Sequence, residues 1–145
     1  MVEWFEFTMR AWDRRGQKIG PAEFIDRLSI APGDPVVVTE SRPGVRRVHL
    51  LRVSTEDFPH VDTSTDAGAR SEAFAAAIRD GLVLAAAWLT RQPPAIFEEL
   101  RAAGRITDVF VGGWVTQDQF DLDLPPEFLR ACGALGLTVS ICTND

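Results

Sequence analysis

Two histidines, His49 and His60, and two cysteines, Cys132 and Cys142, are the side chains best suited to metal ligation or nucleophilic chemistry in this 145-residue chain. A structural zinc site needs four such ligands at short, fixed spacings. Neither histidine lies in an H-x-x-x-H pattern and the cysteines form no C-x-x-C pair. His60-Val-Asp62 offers two donors and reads as a solvated loop. Asp118, Asp121 and Asp123 have the charge of a calcium loop without its spacing or its glycine. Ser54, Asp57 and His60 are close in sequence, but no G-x-S-x-G elbow presents a serine. Cys132 lies on an apolar helix face and Cys142 in an alternating strand, and both read as small buried hydrophobes, the usual fate of a free thiol. Val111-Gly112-Gly113-Trp114 lacks the lysine and the following helix of a phosphate loop. The expectation is no metal, no cofactor and no catalytic residue: a chain that is not an enzyme.

Binding residues are easier to find. Arg42, Arg46, Arg47 and Arg52 surround one hairpin, where they could hold an anion or blunt a sheet edge. The net charge of -6 and pI near 4.9 speak against a general nucleic-acid binder or a ligand of anionic membranes. They favour a basic protein partner, found quickly by electrostatic steering. Asp118, Asp121, Asp123 and Glu127 form an acidic run that could make the charged contacts. Trp114 beside it could serve as an anchor, since tryptophan is enriched at interface hot spots. Trp4 and Trp12 share the polar face of the first strand. Two alternatives remain: a small-molecule pocket between sheet and long helix, near His49 and Gly112-Gly113, and a homodimer through an exposed strand edge.

The elements that must position these groups follow from periodicity. Val2–Trp12 alternates, with Phe5, Phe7, Met9 and Ala11 facing one way. Asp13–Gly16 is a turn, and Pro21 opens a short helix, Ala22–Ser29, with Phe24, Ile25 and Leu28 inward. Val36–Thr39 and Arg47–Ser54 make a hairpin about Ser41–Gly44. Thr55–Thr65 is a polar loop. The longest helix spans Asp66–Arg91, with Phe74, Ile78, Leu82, Ala85 and Leu89 as one stripe. Gly81 marks a close approach or a bend. The half from Leu82 to Leu89 is apolar nearly all round and needs cover on further sides, from the next helix or another subunit. That helix, Pro94–Ala103, is stopped by Gly104. Arg105–Thr116 is a strand interrupted by Gly112-Gly113, Phe120–Leu124 is extended, and Pro125-Pro126-Glu127 starts a helix with Phe128, Leu129, Cys132 and Leu135 inward. Leu137–Cys142 is the last strand.

This order, β-α-β-β-α-α-β-α-β, predicts one α+β domain over residues 1–145. A single, mostly antiparallel sheet carries a long central helix and shorter ones. The first residues hold Glu3, Glu6 and Arg10 in place of a secretory signal, and two cysteines make no disulfide framework. Leu82–Leu89 is too short to span a bilayer. A reduced, cytoplasmic setting is expected.

The segment Phe120-Asp-Leu-Asp-Leu-Pro-Pro-Glu-Phe-Leu129, then Cys132-Gly-Ala-Leu-Gly-Leu137 and the strand to Cys142, resembles the bacterial family known as domain of unknown function 4279. The long helix ending in proline and the pattern Phe5 to Met9 fit as well. Val48-His49-Leu50 departs from it where the family carries a tryptophan. The resemblance implies an α+β domain without catalytic residues. It also implies a role like that of small immunity proteins, which neutralise a cognate toxin.

Overall fold

The computed structural model describes residues 3–12, 24–42, 45–58, 67–116 and 121–144. Five strands form one sheet: β1 (Trp4–Trp12), β2 (Val37–Arg42), β3 (Val45–Ser54), β4 (Ile106–Trp114) and β5 (Thr138–Thr143). Three helices accompany it: α1 (Ala67–Thr90), α2 (Pro94–Ala102) and α3 (Pro126–Ala134). The sheet order is β2-β3-β1-β4-β5. All neighbours are antiparallel except β4 and β5, which α3 joins as a crossover. The fold is α+β with a mostly antiparallel sheet, as the element order predicts.

The alternation of β1 decides which face is which. Phe5, Phe7, Met9 and Ala11 are buried on the side carrying the helices. There Phe5 meets Phe74 of α1 with ring centroids 6.0 Å apart, and Phe7 meets Phe128 of α3 edge-on at 6.1 Å. The predicted stripe of α1 is wholly buried, Leu82, Ala85 and Leu89 having no exposed surface. At Gly81 an added Cβ would lie 2.5 Å from Cδ1 of Leu51, so the glycine marks a close approach of α1 to β3.

Other expectations are corrected. α1 packs on α3 and β3, whereas α2 packs on β4, and the second half of α1 is not covered all round, since Val83 and Leu84 stay 41% and 61% exposed. Further cover comes from the segment around Leu28 and Ser29, whose backbone carbonyl accepts from the Trp88 indole at 3.1 Å. Within Ala22–Ser29 the described part is a single 3-10 turn, Ile25–Arg27; Asp13–Gly16 and Pro21–Glu23 lie outside the described residues. Leu129, expected inward, is exposed, and Ala131 is buried in its place: the proline start sets a phase in which 128, 131, 132 and 135 face the core. The predicted loop after Ser54 opens as a 3-10 turn, Thr55–Asp57, closed by a capping box on Ser54. By length and mean hydropathy (1.4), Glu72–Thr90 could cross a bilayer, a longer stretch than Leu82–Leu89. Its apolar stripe here is buried against the sheet, and a core helix passes the same test.

The return strand contains a feature absent from the simple alternation. The β1–β3 register slips between Phe7↔Leu51 and Thr8↔His49, a bulge that inserts Leu50. Val48 and Leu50 lead one apolar phase and Leu51 and Val53 the next. That slip keeps all four toward the helices while His49 and Arg52 both turn to the other face.

Gly113 faces the core. A Cβ there would sit 2.6 Å from the Phe5 ring and 2.8 Å from the Trp4 carbonyl oxygen. The second contact is backbone and cannot swing aside. Gly113→Ala is therefore expected to cost about 1–3 kcal/mol, as overpacking does. Chemical denaturation reads this directly, and Gly133→Ala, with no heavy atom near its added Cβ, is the control without overpacking, expected to gain up to about 1 kcal/mol from helix propensity.

Candidate functional site

The sheet face opposite the helices carries the polar residues of four strands, and no described helix packs on it. On β1 these are Trp4, Glu6, Thr8 and Arg10. Their β4 partners are Trp114, Gly112, Phe110 and Asp108. From β3 come Arg47, His49 and Arg52, and from β2 Thr39.

Three arrangements organise this face. Arg10 donates to both carboxylate oxygens of Asp108, at 2.9 and 2.7 Å, and lies over the Phe110 ring at 4.1 Å from its centroid. Arg52 pairs with Glu6 at 3.2 Å, the only carboxylate on β1 that faces this way. His49, nearly fully buried, lies between two hydroxyls: its Nδ1 is 3.0 Å from Thr8 Oγ1 and its Nε2 is 2.9 Å from Thr39 Oγ1. A neutral imidazole has one donor and one acceptor, so one threonine donates to the ring and the other accepts from it.

Burial lowers the pKa of His49 below its ordinary 6.5; the Glu6 carboxylate opposes the shift, and Arg52 and Arg47 add to it. The unfolded chain therefore binds this proton first. Stability is full above about pH 6.5 and falls as pH drops through the window between 6.5 and the lower folded value. A urea-denaturation series across that window should show this slope, and His49→Gln should flatten it.

Thr8 and His49 stand at the distance of a nucleophile and its base. Thr8 is buried, however, and the second ring nitrogen meets a hydroxyl, which cannot stabilise an imidazolium as a carboxylate would. Cys132 is also buried, its thiol pushed up to about 12, far from the thiolate form a nucleophile requires. Cys142, expected buried, is half-buried. Among the described residues no three His, Cys, Asp or Glu side chains converge as a metal set.

At one end of this face Trp4 and Trp114 stand opposite each other on neighbouring strands, 38% and 39% exposed. Trp4 and Glu6 line both of two clefts. One, of about 260 Å³, is bounded by Glu6, Thr8, Arg47, Phe110 and Gly112. The other, of about 390 Å³, is bounded by Arg52, Ser54, Glu56 and Asp57. Neither lies between sheet and α1, where Phe5, Phe74, Ile78 and Leu82 fill the space. His49 and Gly112 lie on the opposite side from that expected pocket.

The acidic run is placed elsewhere. Asp121 and Asp123 are exposed on the connection to α3, and Glu127 is exposed in its first turn, on the helical side of the sheet. Trp114 points from the other face, in register with Trp4. Asp118 and His60 lie outside the described residues, as do the side chains of Trp12, Arg42 and Arg46. Sequence reasoning missed the Thr8–His49–Thr39 chain and the Arg10–Asp108 pair, because the partners are 41, 10 and 98 residues apart. No known family, curated protein or solved structure matches this chain.

Proposed function

We propose that the chain is a non-enzymatic protein-binding domain whose partner docks on the sheet face opposite the helices. The observation that carries this is the Trp4–Trp114 pair: two half-exposed indoles in register on neighbouring strands, with the Arg52–Glu6 ion pair beside them and the Arg10–Asp108 pair six residues further along the same face. Aromatic anchors within a polar rim are the usual composition of a binding hot spot. The groups that could support catalysis point the same way, since His49 is tied between two hydroxyls and Cys132 is held as a thiol.

In its narrower form the proposal is an immunity protein that neutralises a basic bacterial toxin. The net charge of -6 and the resemblance of residues 120–142 support that form. Asp121, Asp123 and Glu127 then act as a steering surface, separate from the indole anchors. Co-expression with the toxic C-terminal domain of a secreted protein encoded beside this chain tests it. Growth should be restored, and Trp4→Ala with Trp114→Ala should abolish the rescue. Reversing Asp121, Asp123 and Glu127 to lysine should slow association and flatten its salt dependence. Rescue untouched by the tryptophan pair would remove this face from the proposal. The 260 Å³ cleft beside Trp4 favours a second reading, a small-molecule site, which a bound mass in native mass spectrometry would support.

A further inference from the structure

The two edges of the sheet are built differently. β2, at one edge, carries Glu40 and Arg42 and a register shift between them. Charge and bulges are the devices that stop one sheet edge from pairing with another. β5, at the other edge, reads Thr-Val-Ser-Ile-Cys-Thr. It has no charge, no proline and no glycine, and its pairing with β4 runs without a shift from Asp108↔Thr138 to Gly113↔Thr143. Among the described residues nothing lies beyond β5 in the sheet. Ile141, on the helix side of β5, is 52% exposed.

We infer that β5 is a homodimer edge, pairing antiparallel with β5 of a second copy about a two-fold axis. A strand that meets its own copy this way must be compatible with itself, residue against residue. Six uncharged residues satisfy that condition even in a chain of net charge -6, because no like charges are brought opposite one another. The pairing places the Ile141 side chains of both copies on the same side of the extended sheet. It also terminates. Among the described residues each chain has one open edge and one blunted edge, so the assembly closes at two copies and does not grow into a filament. This surface is separate from the indole face, and the inference stands whatever that face binds.

Sedimentation velocity through the micromolar range tests it, with Ile141→Lys and Val37→Lys as the two variants. Val37 is 50% exposed on β2, so its lysine adds the same charge to the other edge. The expected result is a wild-type dimer that Ile141→Lys reduces to a folded monomer, with Val37→Lys unchanged. Amide exchange in Thr138–Thr143 should slow as wild-type concentration rises. A wild-type chain that stays monomeric throughout, or a dimer that survives Ile141→Lys, overturns the inference. Should Ile141→Lys fail to fold, the concentration dependence of exchange in β5 decides alone: protection independent of concentration overturns it.

Discussion

Replacing Trp88 with alanine is expected to lower the unfolding free energy by about 3–5 kcal/mol, the range for truncating a buried large aromatic. At this chain length that corresponds to a fall in Tm of about 10–20 °C. Trp88 has no exposed surface, and it joins two pieces of chain far apart in sequence. Its indole donates to the Ser29 carbonyl. Gln92 donates to that same oxygen at 3.2 Å and to the Trp88 carbonyl at 3.1 Å, while its own side-chain oxygen accepts from the Ser29 amide at 2.8 Å. The alanine variant leaves both a cavity and a weakened clamp on the segment that carries Phe24, Ile25 and Leu28. Trp88→Phe keeps most of the apolar area and should lose less, because Gln92 still satisfies Ser29. Urea denaturation of both variants measures the difference. A loss below 1 kcal/mol in the alanine variant would mean that the end of α1 contributes little to this core.

The second large effect is expected at Asp108. Its carboxylate and the Arg10 guanidinium retain only 10% and 19% side-chain exposure. Removing one partner of a fully buried pair costs about 3–5 kcal/mol, mostly because the remaining charge is left uncompensated. The residual exposure of Arg10 and its stacking on Phe110 moderate this, so Asp108→Ala should cost about 2 kcal/mol. Replacing both partners, with Arg10→Met and Asp108→Leu, should recover most of that loss. A double-mutant cycle reads the coupling. Additive losses would show that the pair contributes no net coupling.

The parts of this architecture legible from sequence are those governed by local period. The α1 stripe and the β1 alternation both end up buried as the spacing requires, and Pro93-Pro94 and Gly104 stop their helices where expected. Gly104 and Gly136 adopt positive φ, 82° and 69°, which an L side chain resists. What was illegible depends on register. Whether Trp114 shares a surface with Glu127 is decided by which face of β4 the strand turns outward, relative to a helix twelve residues on. Likewise, Thr8 meets His49 only because β3 carries its bulge at Leu50. A slip of one residue would send His49 into the core. The phase change from Val48 and Leu50 to Leu51 and Val53 is present in the sequence, and it is the one signal that could have revealed the bulge.

The position of β1 has a consequence for biosynthesis. The first strand is the middle of the sheet, bonded on one side to β3 and on the other to β4, where Trp4 pairs with Trp114. At ordinary elongation rates that partner is made roughly 5–20 s after β1. Among the described elements made in this interval, Phe5, Phe7 and Met9 can shelter against the segment carrying Phe24 and Leu28, the β2–β3 hairpin and then α1. The nascent chain must therefore hold a three-stranded sheet with an open, apolar-flanked β1 edge until β4 arrives. Variants that weaken the early β1–β3 pairing should lower soluble yield more than they lower the stability of the finished protein.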